Sequence, residues 1–280
     1  MTGEKYSKYS ALMSVYKNEK PECLLASIAS VLYQTVLCDE FILVEDGPLT
    51  NELYDVINKC DEAYPGIIKE VKLDYNLGLG LALNAGINHC KNELIARFDS
   101  DDISAKDRCE KQLAEFMKDL ELDIIGTNHI EFVDDITNKE SFLYKKLPES
   151  DEEIKKYTKK RNPFSHSAVM YRKSAVIKAG NYRDYRYVED YDLWVRMIKT
   201  GAKCKNINEY LSYVKVSKDL YKRRGGIKYM RSIQSFKKEL LKTGYFSRKE
   251  YYISVVPHSA VCLMPSHLRK IVYAKMLRGQ

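Results

Sequence analysis

Apolar runs and helix-period stretches alternate through the first hundred residues. Ala11–Tyr16 is a short apolar run suited to a buried strand. Pro21 then opens a helical stretch over Glu22–Gln34, with Leu24, Leu25, Ile28, Val31 and Leu32 on one face. Phe41–Val44 is a second apolar run and stops at the turn Glu45-Asp46-Gly47-Pro48. The pattern continues with a helix over Asn51–Ala63, a strand over Ile67–Leu73, a helix over Leu79–His89 and a fourth strand over Leu94–Phe98. Strand–helix alternation at this spacing predicts an α/β fold with a mostly parallel sheet covered on both faces. In such sheets ligands gather beyond the carboxyl ends of the strands.

The second half is less regular. It predicts strands over Ile124–Phe132 and Ser167–Tyr171, an exposed helix over Asp151–Lys160 and a helix over Val188–Lys199. Residues 218–250 read as one basic helix, and Pro265–Tyr273 as the start of an amphipathic one.

Composition adds three constraints. A chain of 280 residues with 45% hydrophobic content can bury a full core. No stretch approaches the roughly 18 to 20 apolar residues that span a bilayer, and no apolar run follows the N-terminal MTGEKYSKYS to suggest a secretory signal. The seven cysteines lack CxxC or Cys/His spacing, which reads as reduced, intracellular thiols. The net charge of +7 is unevenly spread: residues 203–280 hold 18 Lys/Arg against 4 Asp/Glu, whereas residues 1–202 hold 28 against 35. A first domain over 1–216 is expected, with a basic helical extension over 217–280 that meets something anionic or simply presents a solvated lysine face.

Acidic residues collect at the predicted strand ends: Glu19 after the first, Glu45 and Asp46 after the second, and Asp99, Asp101 and Asp102 after the fourth. Two carboxylates at i and i+2 at a strand end can share one hard cation such as Mg2+ or Mn2+, which would neutralise a diphosphate leaving group. The same residues would also serve as an acidic loop capping the helix that follows. Glu189, Asp190 and Asp192 open the helix over Val188–Lys199, where they favour its dipole. Alternatively they supply a general base, for which Asp190 is the choice, with Glu189 orienting it or contacting the metal. Gly78-Leu79-Gly80 lacks the rest of a dinucleotide fingerprint, so an NAD site is rejected.

Together these residues resemble the family-2 glycosyltransferases of GT-A fold, within them the bacterial enzymes that build capsule, exopolysaccharide and O-antigen repeats. The resemblance covers residues 10 to about 215. Met13-Ser14-Val15-Tyr16 with Asn18-Glu19 is similar to the family's first strand and nucleotide-facing turn, and Val44-Glu45-Asp46-Gly47 to its D-D-G-S turn, with Glu45 and Pro48 as departures. Asn76 to Gly86 is similar to the N-x-G-x-x-x-A-x-N-x-G helix, Asp99-Ser100-Asp101 to the D-x-D, and Glu189-Asp190 to the E-D pair that carries the inverting base. Asn162-Pro163-Phe164-Ser165-His166 fits a connecting segment whose histidine faces the donor or acceptor, or is structural.

The resemblance implies an inverting transferase with Mn2+ or Mg2+ held by Asp99 and Asp101. It implies nucleotide-sugar contacts at Ser14, Tyr16, Glu19, Asp46, Asn76, Gly78, Asn84, Arg97, Asp99, Ser100 and His166. A UDP-sugar donor carrying a hexose or N-acetylhexosamine follows, with a saccharide acceptor linked to polyprenyl diphosphate. The enzyme would be cytoplasmic, peripheral on the inner face of the cell membrane through residues 217–280; that extension could equally pack as a lid. A sugar nucleotidyltransferase would need a glycine- and lysine-rich triphosphate loop, which MSVYKNEKPE lacks. A nucleic-acid binder would explain the basic tail, but no recognition motif accompanies it, and no nucleic-acid partner is expected.

Overall fold

The structure is a computed structural model that describes residues 6–133, 135–216, 225–269 and 272. The chain divides into two compact units, Met1–Asp184 with Glu189–Lys215, and Tyr185–Val188 with Val216–Gln280.

The first unit is built on one nine-stranded sheet. Its first half contains β1 (Tyr9–Val15), α1 (Pro21–Leu32), β2 (Glu40–Glu45), α2 (Asn51–Ala63), β3 (Ile68–Lys72), α3 (Leu79–His89) and β4 (Leu94–Asp99). The strand order 3-2-1-4 is parallel throughout, with Val15 beside Glu45 and Ser14 beside Asp99. The carboxyl ends of β1, β2 and β4 therefore line up along one rim.

The two faces of the sheet are separated by the strand period of two. Ala11, Met13 and Val15 belong to one core cluster, with Leu24 and Ile28 of α1 and Leu53 and Ile57 of α2. Leu12 belongs to the other, with Ala82, Leu83 and Ile87 of α3. Each fully buried Leu, Ile, Val or Met side chain stabilises by about 1.5–3 kcal/mol. Helix α3 lies against the strands because Gly86 has no Cβ: one built there would sit 2.4 Å from Leu12 Cδ1 and 2.7 Å from Val44 Cγ2.

The second half adds β5 (Ile103–Ser104), α4 (Arg108–Lys118), β6 (Leu122–Phe132), β7 (Leu143–Lys145), α5 (Asp151–Thr158), β8 (Met170–Arg172), α6 (Lys173–Lys178), α7 (Glu189–Lys199) and β9 (Lys203–Lys215). Here β8 joins β4 and β6 antiparallel, β6 pairs parallel with β9, and β5 and β7 add antiparallel pairs. The sheet is thus parallel through its first four strands and mixed beyond.

Three expectations change. The strand expected over Ser167–Tyr171 is a helical turn at His166–Ala168 followed by β8. The long strand β9 was not expected, because its pairing with β6 slips register at Thr127/Asn128 and again at Asn128/His129, which breaks the alternation a strand would show. The single basic helix over 218–250 is two helices, α8 (Gly226–Lys242) and α9 (Arg248–Leu263), with 218–224 outside the described residues. The break has a local cause. Gly244 takes φ +71, and Ser247 caps α9 in a capping box with Glu250. Of the expected helix at Pro265–Tyr273, residues 270, 271 and 273 lie outside the described residues.

In the second unit α8 and α9 pack as a hairpin. Ile233, Phe236 and Leu240 are buried, and Lys237 reaches Ser254 O at 2.7 Å. Burial lowers the Lys237 pKa to about 8. Arg269 donates to Cys262 O and Met264 O at 3.0 and 2.6 Å, satisfying carbonyls at the end of α9. Tyr185 packs on Phe236 with ring centroids 5.9 Å apart. Among the described residues no helix is long and apolar enough to cross a membrane.

Candidate active site

The rim at the ends of β1, β2 and β4 carries the acids that the sequence singled out. Asp46 follows β2 and binds the loop that leads into α3. It accepts from Leu77 N at 2.6 Å, from Gly78 N at 3.1 Å and from Asn76 Nδ2 at 2.9 Å. Both of its oxygens are engaged in shaping that loop, and Gly78 turns the chain there with φ +91. Asn84, one turn further along α3, donates to Tyr182 O at 2.7 Å. Ser14 lies beside Asp99 in the sheet, and Tyr16 is exposed just past the end of β1.

At the end of β4 the arrangement is dominated by negative charge. Arg97 is wholly buried at 0% exposure and forms an ion pair with Asp99. With no exposed surface it supports Asp99 from within the core. Its Nε and Nη1 are buried without hydrogen-bond partners. Burial opposes its charge, but the Asp99 carboxylate overrides that and raises its pKa.

Ser100 donates to Glu19 Oε2 at 2.7 Å, tying the turn after β1 to the loop after β4. The Asp101 carboxyl is pushed up to about 7, first by burial and then by the charges of Asp99 and Glu19. Asp102 is buried and accepts from Lys215 N at 2.8 Å, which brings the end of β9 to the same rim. Burial and then Asp99 and Asp101 drive its pKa well above the carboxylate range.

The second acidic pair opens α7. Glu189 Cβ lies 3.3 Å from where a Cβ on Gly80 would sit, so α7 begins against α3. Glu189 Oε2 is buried without a hydrogen-bond partner, and burial followed by the Asp190 charge raises its pKa to about 7. Asp190 accepts from Tyr191 N at 2.7 Å and from Asn162 Nδ2. Burial raises its pKa, while those two donors and Arg97 pull it down. Asp192, the third acid of the turn, forms an ion pair with Arg196 one turn on and plays a helix-internal part.

His166 Nε2 lies 2.8 Å from the Tyr182 hydroxyl, its ring packed against Tyr182 and Trp194. Burial and then the Arg97 charge hold its pKa well below 6.5, so the imidazole is neutral.

The structure thus gathers Glu19, Asp99, Ser100 and Asp101 in one cluster, and Glu189, Asp190 and His166 in a second linked to the first through Arg97. Three residues outside the expected site set control these groups. Asn162 fixes Asp190, Tyr182 fixes Asn84 and His166, and Lys215 meets Asp102 by its backbone and Cys23 Sγ by its ammonium at 2.8 Å.

Asp99 and Asp101 suit a divalent ion. Asp99 keeps a side chain 32% exposed with one oxygen outside the Arg97 pair, and Asp101 sits in an excess of negative charge that a dication relieves. Among the described residues no group of three or more His, Cys, Asp or Glu is arranged to hold a metal. Two protein carboxylates with the remaining positions left to water and a substrate diphosphate is how Mg2+ and Mn2+ are commonly held. A separate groove of about 480 Å³ runs along Glu115, Asp119, Asp151, Lys203 and Lys205. It lies at the opposite end of β9, and its lysines are already paired, Lys203 with Asp119 at 2.8 Å and Lys205 with Glu115 at 2.5 Å.

Comparison with known proteins gives a consistent result. The family model "Glycosyl transferase family 2" matches residues 10–180. The chain is 36% identical over 274 residues to the amylovoran biosynthesis glycosyltransferase AmsE of Erwinia amylovora, covering 97% of this chain and 100% of that protein. It is 35% identical over 271 residues to the UDP-Gal:alpha-D-GlcNAc-diphosphoundecaprenol beta-1,3-galactosyltransferase of Escherichia coli, covering 97% of each. Among solved structures, S. aureus TarS 1-349 in complex with UDP-GlcNAc superposes with TM-score 0.64 at 14% identity, over 90% of this chain and 71% of that one. The mannosyltransferase PcManGT from Pyrobaculum calidifontis, in complex with GDP-Man and Mn2+, gives 0.65 at 13% identity, over 97% and 80%. At those identities the two structures show the GT-A fold.

Proposed function

The chain belongs to glycosyl transferase family 2, and on that footing we propose that it is an inverting, metal-dependent enzyme that moves a hexose or N-acetylhexosamine from a UDP-sugar to a lipid-linked saccharide. Membership as a glycosyltransferase sets aside the sugar-nucleotidyltransferase and non-enzymatic readings. The observation that carries the proposal is the pairing of two acidic clusters on one rim, Asp99/Asp101 at the end of β4 and Glu189/Asp190 at the start of α7.

In this reading the acceptor oxygen attacks the anomeric carbon as the bond from that carbon to the diphosphate oxygen breaks. Asp190 takes the acceptor's proton. The buried setting of Asp190 raises its basicity above that of a free carboxylate, while Asn162 and the Tyr191 amide fix its orientation. A divalent ion held by Asp99 and Asp101 would supply charge neutralisation to the departing UDP. Glu19 and Ser100 position the loop that carries Asp101. Asp46 shapes the Asn76–Gly78 turn beside the nucleotide. A single displacement on an α-linked donor yields a β-linked product.

A diphosphoundecaprenol-linked acceptor is named for one relative and Mn2+ for one structural neighbour, and both support the same chemistry here. With such an acceptor the enzyme would act as a peripheral protein at the inner face of the cell membrane, in bacterial surface-polysaccharide synthesis.

The test is UDP release across a panel of UDP-sugars with a diphosphate-lipid acceptor, with and without Mn2+. Metal-dependent release from one donor is expected, lost in Asp99→Ala/Asp101→Ala and lost in Asp190→Asn with UDP binding retained. Turnover by Asp190→Asn near the wild-type rate would remove Asp190 as the base. An α-linked product would overturn inversion.

A further inference from the structure

The helical hairpin of the second unit presents two outward rows of opposite character. On α8 the exposed row is Lys228, Arg231, Lys238 and Lys242, at helical spacings of three, seven and four residues with exposed Ser235 filling the longer gap. None of these four cations forms an ion pair among the described residues. On α9 the exposed row is apolar: Tyr252 at 62%, Ile253 at 63%, Val256 at 60% and Leu263 at 61%, with Ala260 between the last two. The first turn of α9 also exposes Arg248 and Lys249. Elsewhere α9 packs on α8, the Ser254 carbonyl accepting from Lys237 Nζ at 2.7 Å and Ser259 Oγ from Gln234 Nε2 at 2.9 Å. Beyond its first turn α9 therefore keeps a row of apolar side chains in water.

We infer that this hairpin docks on an anionic lipid surface, with the α9 row entering the headgroup region and the α8 row meeting lipid phosphates. The inference names the contact surface for the peripheral location proposed above, and rests on that reading only for the location.

Charge selects the partner. Residues 203–280 carry 18 Lys/Arg against 4 Asp/Glu, so a second copy of the chain would bring like charge to like. A nucleic acid would match the charge but has no use for an aliphatic row of Ile253, Val256 and Leu263, since strand binding relies on stacking and hydrogen-bonding side chains. A bilayer of anionic lipid meets both features at once. This row precedes the Pro265–Tyr273 stretch expected from the sequence, of which residues 270, 271 and 273 lie outside the described residues.

The experiment is co-sedimentation of the full chain with vesicles of phosphatidylcholine alone or with about one-third phosphatidylglycerol, at low and high salt. Binding is expected only to the anionic vesicles and to weaken with salt. Ile253→Asp/Val256→Asp is expected to lower the partition coefficient at least tenfold, with the melting temperature unchanged because both side chains are already in water. Lys238→Gln/Lys242→Gln is expected to lower it about tenfold or more and to flatten the salt dependence, each cation contributing a factor of about five. The milder pair Ile253→Ser/Val256→Ser guards against misfolding of the acidic variant.

Wild-type partition by Ile253→Asp/Val256→Asp would overturn the inference. So would a wild-type dimer in sedimentation velocity that this variant dissolves, or equal competition by single-stranded RNA. Transfer to a short-chain, water-soluble acceptor, measured in parallel, separates this from the proposed function. Lost vesicle binding with transfer intact condemns the surface alone, whereas vesicle binding without transfer condemns the enzymatic reading alone.

Discussion

Replacing Glu189 by Gln is expected to stabilise the protein at alkaline pH and to leave it unchanged in acid. Glu189 Oε2 is buried without a partner, and the carboxyl has its pKa raised from 4.5 to about 7 by burial and then by Asp190. A carboxyl whose folded pKa lies above its unfolded value binds its proton more tightly when folded. The penalty for ionising it is therefore absent below pH 4.5, grows between 4.5 and 7, and is fully present above 7. At about 1.4 kcal/mol per pH unit, that interval amounts to about 3 kcal/mol. Gln keeps the shape and removes the charge, so calorimetric melting without metal or nucleotide should show Glu189→Gln several degrees above wild type at pH 8. At pH 4.5 the two should coincide. A difference that is the same at both pH values, or a Gln variant less stable at pH 8, would refute the reasoning that an unpaired buried charge sits at the start of α7.

Two further outcomes follow from contacts at the same rim. Asn162→Ala removes a donor that holds the Asp190 pKa down, so the acidic limb of the kcat profile should move to higher pH, with kcat at pH 7 reduced about tenfold and the KM for donor little changed; an unmoved limb would show that Asn162 does not act through Asp190. Gly86→Val forces side-chain atoms onto Leu12 and Val44, both fully buried, and should cost at least the 1–3 kcal/mol typical of overpacking. Urea unfolding checks it, and a midpoint within error of wild type would mean that α3 can lift from the sheet without loss.

How much of this was legible in the sequence depends on how local the cause is. The first four strands and three helices could be read because β1, β2 and β4 are buried on both faces or nearly so, and Pro21, Thr50 and Gly78 mark the helix starts in the sequence itself. β9 could not, because it is held by pairing with β6 through register slips that no period in Lys203–Lys215 records. The division of 218–250 into two helices lay in Gly244 and the Ser247–Glu250 capping box, a local signal present in the sequence but outweighed by the lysine-rich run on either side.

The same distinction separates the acids of the site from the groups that control them. Asp99 and Asp101 stand where they do because a strand ends there, and Glu189 and Asp190 because a helix begins there, so spacing along the chain was enough to find them. What sets their chemistry arrives from elsewhere in the chain: Asn162 lies 28 residues from Asp190, and Lys215 lies 113 from Asp102. Arg97 joins the two kinds of information. Its position two residues before Asp99 is local, but its complete burial, its ion pair with Asp99 and its charge effect on His166, Glu189 and Asp190 exist only in the folded chain. With its guanidinium paired to Asp99, Arg97 acts electrostatically on the carboxylates around it. Neutralising Arg97 should therefore disturb both acidic clusters together, whereas removing any one acid should disturb mainly its own.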